Sequence, residues 1–257
     1  MHVGYVLFMD GDIVWLGTVA SLVAGLATGF GALPVLFTKR VSDRLLDTML
    51  GFAAGVMLAA TSFSLLIPSI DLSGPWIAVL GLLLGAVVLH LIDRFTPHFS
   101  PAFGFEGPAS RLPRVWLFIL AITIHNFPEG LAVGVSFGSG DIAAGLIIAT
   151  AIGLQNMPEG LAVALPLIRE GYSRKKALWY GTLTGLVEPL GGLLGAAIVS
   201  ISRPLLPWGL SFAAGAMLFV IADEMIPESH RKGYAREATF GLIAGFTIMM
   251  LLDVIFG

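Results

Sequence analysis

The chain has 257 residues, of which 56% are hydrophobic and only 12% charged, with a mean hydropathy of +0.90. A soluble domain carries about 25% charged residues, so water could not solvate the surface of this chain, and a water-soluble globule is excluded. The net charge of -3 and the lack of a basic patch argue against a nucleic-acid partner, and the absence of cysteine excludes disulfides and thiolate metal sites.

A membrane helix needs about 20 mostly apolar residues. Eight such stretches run along the chain, at about 13–37, 45–70, 75–93, 114–138, 141–168, 175–200, 205–228 and 236–256. Polar or Pro/Gly clusters separate them. LFTKRVSDR closes the first, GSGD joins the fourth to the fifth, IREGYSRKK follows the fifth and ESHRKGYARE follows the seventh. Residues 94–113 are Pro-rich and read as an irregular loop. Met1 to Asp12 lacks the basic start of a signal peptide, so the first apolar run reads as a mature span. The expected fold class is an all-α membrane protein, a single transmembrane domain over 1–257 with both termini outside and 94–113 as a cytoplasmic loop. The orientation follows from the cations. Lys39, Arg40, Arg44, Arg94, Arg111, Arg114, Arg169, Arg174, Lys175, Lys176, Arg231, Lys232 and Arg236 fall on one side, and only Arg203 on the other. The side rich in Lys and Arg is cytoplasmic.

Two segments recur. HNFPEGLAVGV at 125–135 returns as QNMPEGLAVAL at 155–165, and GFAAGVML at 51–58 is echoed by SFAAGAMLF at 211–219. Each pair lies on spans of opposite direction. This predicts inverted repeats, spans 1–3 against 6–8 with spans 4 and 5 related to each other, as in many secondary transporters. Small residues in FAAG would also allow close helix packing with no such symmetry.

The repeated segment carries the chemistry. His125 and Glu129 are four residues apart and share one helix face, and Gln155 and Glu159 repeat the arrangement. An ionisable group at mid-membrane marks an ion pathway by default. Imidazole nitrogen with carboxylate oxygen is an ordinary ligand set for zinc and its neighbours. Asn126 and Asn156, each three residues before a glutamate, suggest a second metal position sharing Glu129 and Glu159. Glu188 is a third mid-membrane carboxylate. Pro128 and Pro158 lack an N–H and free the carbonyls of Ile124 and Leu154. Met57, Ser64 and Asp71, spaced by seven on the second span, could line a route, as could Asp223 and Glu224 on the seventh and Asp253 on the eighth. The ordinary alternatives are interhelical bonding for a lone Asn or Gln, packing for Met57, and hydration for carboxylates near span ends. His90 reads as interfacial, and His2, His98 and His230 as solvated.

These motifs resemble the ZIP (Zrt-/Irt-like protein) family of divalent metal transporters, and most closely its bacterial GufA-type branch. The resemblance covers nearly the whole chain and rests on HNFPEG, QNMPEG, the glutamate of span six and DEMIPESHR. It implies uptake of zinc, with cadmium, iron and manganese tolerated, into the cytoplasm across the cell membrane, through a binuclear mid-membrane site. Residue by residue, His125, Glu129, Gln155 and Glu159 with Met57 match the first metal position. Asn126, Asn156, Glu129, Glu159 and Glu188 match the second, and Asp223 and Glu224 an inner exit site. The chain has Gln155 where many members have histidine, although the GufA-type branch often has glutamine, Asn156 where some relatives have aspartate, Asp223 where histidine is usual, and a single histidine, His98, in the 94–113 loop, where many members have a cluster. The metal is then a transported substrate, not a cofactor, and the protein is not an enzyme. A homodimer fits the Gly/Ala-rich spans. The rival readings are a membrane-embedded metal-dependent hydrolase, which lacks an HExxH or a Ser/His/Asp set, and a cation/proton exchanger, which leaves the His125/Gln155 pairing without a purpose.

Overall fold

The computed structural model of the chain describes residues 10–38, 41–100 and 103–256. His2, the first nine residues of the N-terminal stretch, Lys39 and Arg40 lie outside the described residues. Eight described helical stretches are long and apolar enough to cross a bilayer. They are span 1 Gly11–Leu36, span 2 Asp43–Ser73, span 3 Pro75–Phe95, span 4 Arg114–Gly138, span 5 Ile142–Arg169, span 6 Arg174–Ile201, span 7 Arg203–His230 and span 8 Ala235–Phe256. The protein is thus an all-α membrane protein with the expected number of spans.

The helix starts are written in the polar breaks. Ser42 accepts a hydrogen bond from the Leu45 N–H, Asp141 accepts from the Ala143 and Ala144 N–H groups, and Ser173 accepts from the Lys176 N–H. Each satisfies donors that the first helical turn would leave free. The distribution of polarity then reverses that of a soluble protein. Leu83, Leu84 and Val87 are about half exposed, whereas Glu129 and Glu188 are at most 1% exposed. Lipid tails solvate the leucines, and only protein can solvate the carboxylates.

The spans pack as two groups of four. Span 2 lies along span 8 and span 3 along span 7, while spans 1, 4, 5 and 6 pack on one another. The groups meet along a seam where span 2 touches span 5 and span 4 touches span 7. Lipid gives apolar helices no reason to associate, so close backbone approach between small residues carries the packing. Gly130 of span 4 is pressed so tightly on span 6 that a Cβ there would sit 2.0 Å from the Glu188 carbonyl oxygen. A Cβ on Gly160 of span 5 would sit 1.8 Å from the Thr28 carbonyl oxygen. These two glycines belong to the repeated PEG motifs, so the motif that supplies the carboxylate also supplies the close contact.

Three local features depart from plain α-helices. Span 2 widens into a π-helical segment at Ala60–Leu66, and span 7 does so at Ile221–Met225. Such segments in α-helices are frequent at functional sites. Span 6, read from sequence as one helix, is broken: Arg174–Gly185 ends, and a second helix starts at Glu188. Pro189 at the start of that second helix is the local reason, since a proline lacks the N–H that a continuous helix would use there. Spans 4 and 5, in contrast, run unbroken through Pro128 and Pro158.

The 94–113 loop corrects an expectation. It is not irregular throughout, because β1, His98–Ser100, pairs antiparallel with β2, Gly104–Glu106, in the register His98↔Glu106 and Phe99↔Phe105. The Phe99 and Phe105 rings meet edge to face, and the Arg114 guanidinium lies 3.8 Å over the Phe99 ring. The ribbon therefore sits against the start of span 4.

Gly130→Val should destabilise the fold by about 3 kcal/mol through overpacking, seen as a lower unfolding temperature in detergent. Gly11→Ala should be neutral, because a Cβ there meets nothing within 4 Å. Equal effects for the two would contradict this packing.

Candidate metal centre

The PEG motif sets its glutamate four residues after His125 or Gln155 on one helical turn, and the contact between spans 4 and 5 turns these faces toward each other. Gln155 donates from Nε2 to Glu129 Oε1. Asn156 donates from Nδ2 to Glu188 Oε1 at 2.7 Å and to the Ala24 carbonyl at 2.8 Å. Glu159 and Glu188 both lie within coulombic reach of Glu129, and His125 within reach of Glu159. The structure thus brings together His125, Glu129, Gln155, Glu159, Asn156 and Glu188, all buried.

Pairing within this cluster is incomplete. Glu129 Oε2, Gln155 Oε1, Asn156 Oδ1 and Glu188 Oε2 are buried without a hydrogen-bond partner, as are both polar atoms of Asn126, the residue after His125. An orphaned buried polar atom costs about 1–3 kcal/mol, and here several converge, most of them oxygens, with three carboxylates. Such a donor set fits divalent cations, whose charge offsets the carboxylates and whose coordination satisfies the oxygens.

Two route residues are placed differently from the sequence reading. Glu224 is not set apart at an inner exit: its Oε1 lies 2.7 Å from His125 Nε2, across the seam between the two groups of spans. Asp71 does not share one face with Met57 and Ser64. The π-helical segment between them alters the helical repeat, so Met57 is fully buried, Ser64 half-buried and Asp71 exposed. Ser64 instead donates to Asp253 Oδ1 at 2.5 Å, joining spans 2 and 8.

A second cluster lies beyond Glu224. Ligand atoms of Asp93, His98 and Glu224 lie within 4.8 Å of one another, as do those of Asp93, Glu106 and Asp223. His98, expected to be solvated, is 1% exposed, because the ribbon folds it inward. Its Nε2 lies 3.0 Å from both Asp93 Oδ1 and Glu106 Oε2, and Nδ1 lies 2.9 Å from the Thr96 carbonyl. Asp93 and Glu106 escaped the sequence reading. A signal for Asp93 was present: Leu91-Ile92-Asp93 stands 160 residues before Leu251-Leu252-Asp253, the offset that also separates Phe52 from Phe212 and Ser64 from Glu224. Asp253 bonds Ser64, and Asp93 approaches Glu224, so the two matched pairs are each in contact. Glu106 had no such signal, since only the ribbon register sets it opposite His98. His90 is exposed on span 3, its ring near Phe219, and His230 is half-buried with Nδ1 at 2.7 Å from the Ile226 carbonyl.

A helical membrane bundle with a buried, carboxylate-rich donor cluster at mid-span has the features of an ion transporter. Residues 104–253 match the family described as ZIP Zinc transporter. The chain is 48% identical to zinc transporter GufA of Myxococcus xanthus over 94% of this chain and 99% of that protein. It is 45% identical to zinc transporter ZIPB of Bordetella bronchiseptica over 100% of this chain and 83% of that one. With zinc transporter ZIP11 of Homo sapiens the identity is 37%, over 88% and 93%. The chain belongs to the ZIP zinc transporter family and is a multi-pass membrane protein of that kind.

Burial opposes a charge on His98, but its bonds to Asp93 and the Thr96 carbonyl and the charge of Asp93 outweigh this and raise its pKa from 6.5 to about 9. A pKa raised by folding stabilises the protonated form. The contribution is complete below about pH 6.5 and disappears as pH rises through about 9. Hydrogen exchange in the ribbon, corrected for its intrinsic pH dependence, should therefore accelerate through pH 9 in the wild type. In His98→Gln that step should vanish, and its persistence would place the titration elsewhere.

Proposed function

We propose that the chain takes up zinc across the cell membrane into the cytoplasm, with cadmium, iron and manganese as further substrates. The observation that carries this reading is the convergence of the two PEG motifs with Glu188 on a buried cluster of orphaned polar atoms. The cluster divides into two adjacent metal positions. His125, Glu129, Gln155 and Glu159, with Met57 beside them, form the first. Asn126, Asn156 and Glu188 with the shared Glu129 and Glu159 form the second.

Both termini lie outside in this reading, and 94–113 is cytoplasmic, in keeping with the thirteen cations against one. The whole chain acts as one transport domain. Its repeats are inverted: the Ser64–Asp253 pair is the outer counterpart of the Glu224–Asp93 pair. The ion meets the Ser64–Asp253 pair at the outer mouth, loses water against the central carboxylates, and leaves past Asp223, His98, Asp93 and Glu106. His125 faces Glu224 directly across the seam, so it can hand the ion from one group of spans to the other. A shift of spans 1, 4, 5 and 6 against 2, 3, 7 and 8 would open the two mouths in turn. The relatives named above are zinc transporters by name, which supports the choice of metal. Two copies associate as a homodimer in the membrane.

In proteoliposomes, His125→Ala with Glu129→Ala should lower zinc flux at least about tenfold while the protein stays folded. Flux in the wild type should fall in acid, because the carboxylates and imidazole bind metal only when deprotonated. Wild-type flux in the double variant would remove the central cluster from the pathway. Competition by cadmium, iron(II) and manganese orders the substrates.

A further inference from the structure

Among the described helical threonines, Thr18, Thr48, Thr123, Thr182, Thr239 and Thr247 each donate their hydroxyl to the carbonyl four residues back. This is the usual resting place of a threonine hydroxyl in a helix. Thr28 on span 1 is an exception. It is fully buried, and its Oγ1 has no hydrogen-bond partner. The reason is visible: the Ala24 carbonyl, its normal acceptor, is taken by Asn156 Nδ2 at 2.8 Å in addition to the helical N–H.

The hydroxyl lies against Gly185 at the break of span 6, three residues before Glu188. A Cβ on Gly185, at the break of span 6, would meet Thr28 Oγ1 at 2.7 Å and the Gly25 carbonyl oxygen at 2.1 Å. A Cβ on Gly25, one turn before Thr28, would meet the Gly185 carbonyl oxygen at 2.2 Å and the Glu188 carboxyl carbon at 3.3 Å. The Thr28 backbone carbonyl is packed on Gly160, the neighbour of Glu159. Three buried oxygens without partners, Thr28 Oγ1, Asn156 Oδ1 and Glu188 Oε2, thus belong to spans 1, 5 and 6, which meet where Asn156 Nδ2 reaches both the Ala24 carbonyl and Glu188 Oε1. A threonine that served only to fill space would be replaced at lower cost by valine, which has the same shape and no hydroxyl to desolvate.

We propose that Thr28 is a further residue of the second metal position, its hydroxyl oxygen joining Asn156 Oδ1 and Glu188 Oε2 as a donor to the passing cation. This rests on the transport reading above. A neutral oxygen added to amide and carboxylate oxygens makes this position favour hard divalent ions, whereas the imidazole of His125 suits zinc and softer ones. Thr28 is therefore a specificity-determining residue that admits manganese alongside zinc.

The test compares wild type, Thr28→Val and Thr28→Ser, with metal binding measured by calorimetry in detergent and flux measured in proteoliposomes. Thr28→Val should unfold at the wild-type temperature or above. Its manganese affinity and its KM for manganese should each worsen about tenfold, with cadmium changed less than about twofold. Thr28→Ser should restore manganese toward wild type. Unchanged manganese binding in Thr28→Val overturns the proposal, as does an equal loss in Thr28→Ser, which would point to the methyl group and packing. Absence of flux in the wild type would defeat the transport reading, while the binding series still decides the role of Thr28.

Discussion

Carboxylates at mid-membrane impose the constraint on which the rest of this molecule depends. Glu129, Glu159 and Glu188 cannot face lipid, where no water compensates their charge. They must be enclosed by protein, and three of them within coulombic reach repel one another. Much of the fold answers that demand. Span 6 breaks beside Glu188, so that the carboxylate starts a helix instead of sitting within one. Gly130 and Gly160 bring spans 6 and 1 close enough to seal the cluster. Gln155 and Asn156 each neutralise one carboxylate oxygen with an amide N–H and leave the other free.

The arrangement is suited to passage because its satisfaction is partial. A fully hydrogen-bonded network would be stable and inert toward ions. A network with orphaned oxygens gains when a cation supplies the missing charge and coordination, and it must be able to release that cation again. The Glu224–His125 contact joins the central cluster to the second one. The same imidazole belongs by spacing to the central motif and by contact to Glu224, so the two clusters adjoin.

The π-helical segments of spans 2 and 7 fit this picture. Each widens the helix where polar side chains stand in an otherwise apolar span: Thr61, Ser62 and Ser64 in one, Asp223 and Glu224 in the other. Widening frees backbone groups and re-aims side chains. The matched pairs Ser64–Asp253 and Glu224–Asp93 emerge from these two segments, although their chemistry differs. A hydroxyl stands in one pair where a carboxylate stands in the other, so the two pairs differ in charge although 160 residues separate each member from its counterpart.

Composition, hydropathy and the doubled motif determined the membrane class, the number of spans and which polar residues stand at mid-span. These are properties of single segments: a run of 20 apolar residues or an i, i+4 pair carries its meaning without its neighbours. The tertiary structure decided which separate segments touch. It took Glu224 to His125, Ser64 to Asp253 and Asp71 away from the stripe it seemed to continue, because a π-helical segment breaks the seven-residue spacing on which that stripe was read. It turned His98 from a solvated loop residue into a buried one, because a three-residue ribbon set it opposite Glu106 and beside Asp93. Contacts of this kind depend on long-range register, for which a single sequence carries little signal beyond its internal repeats.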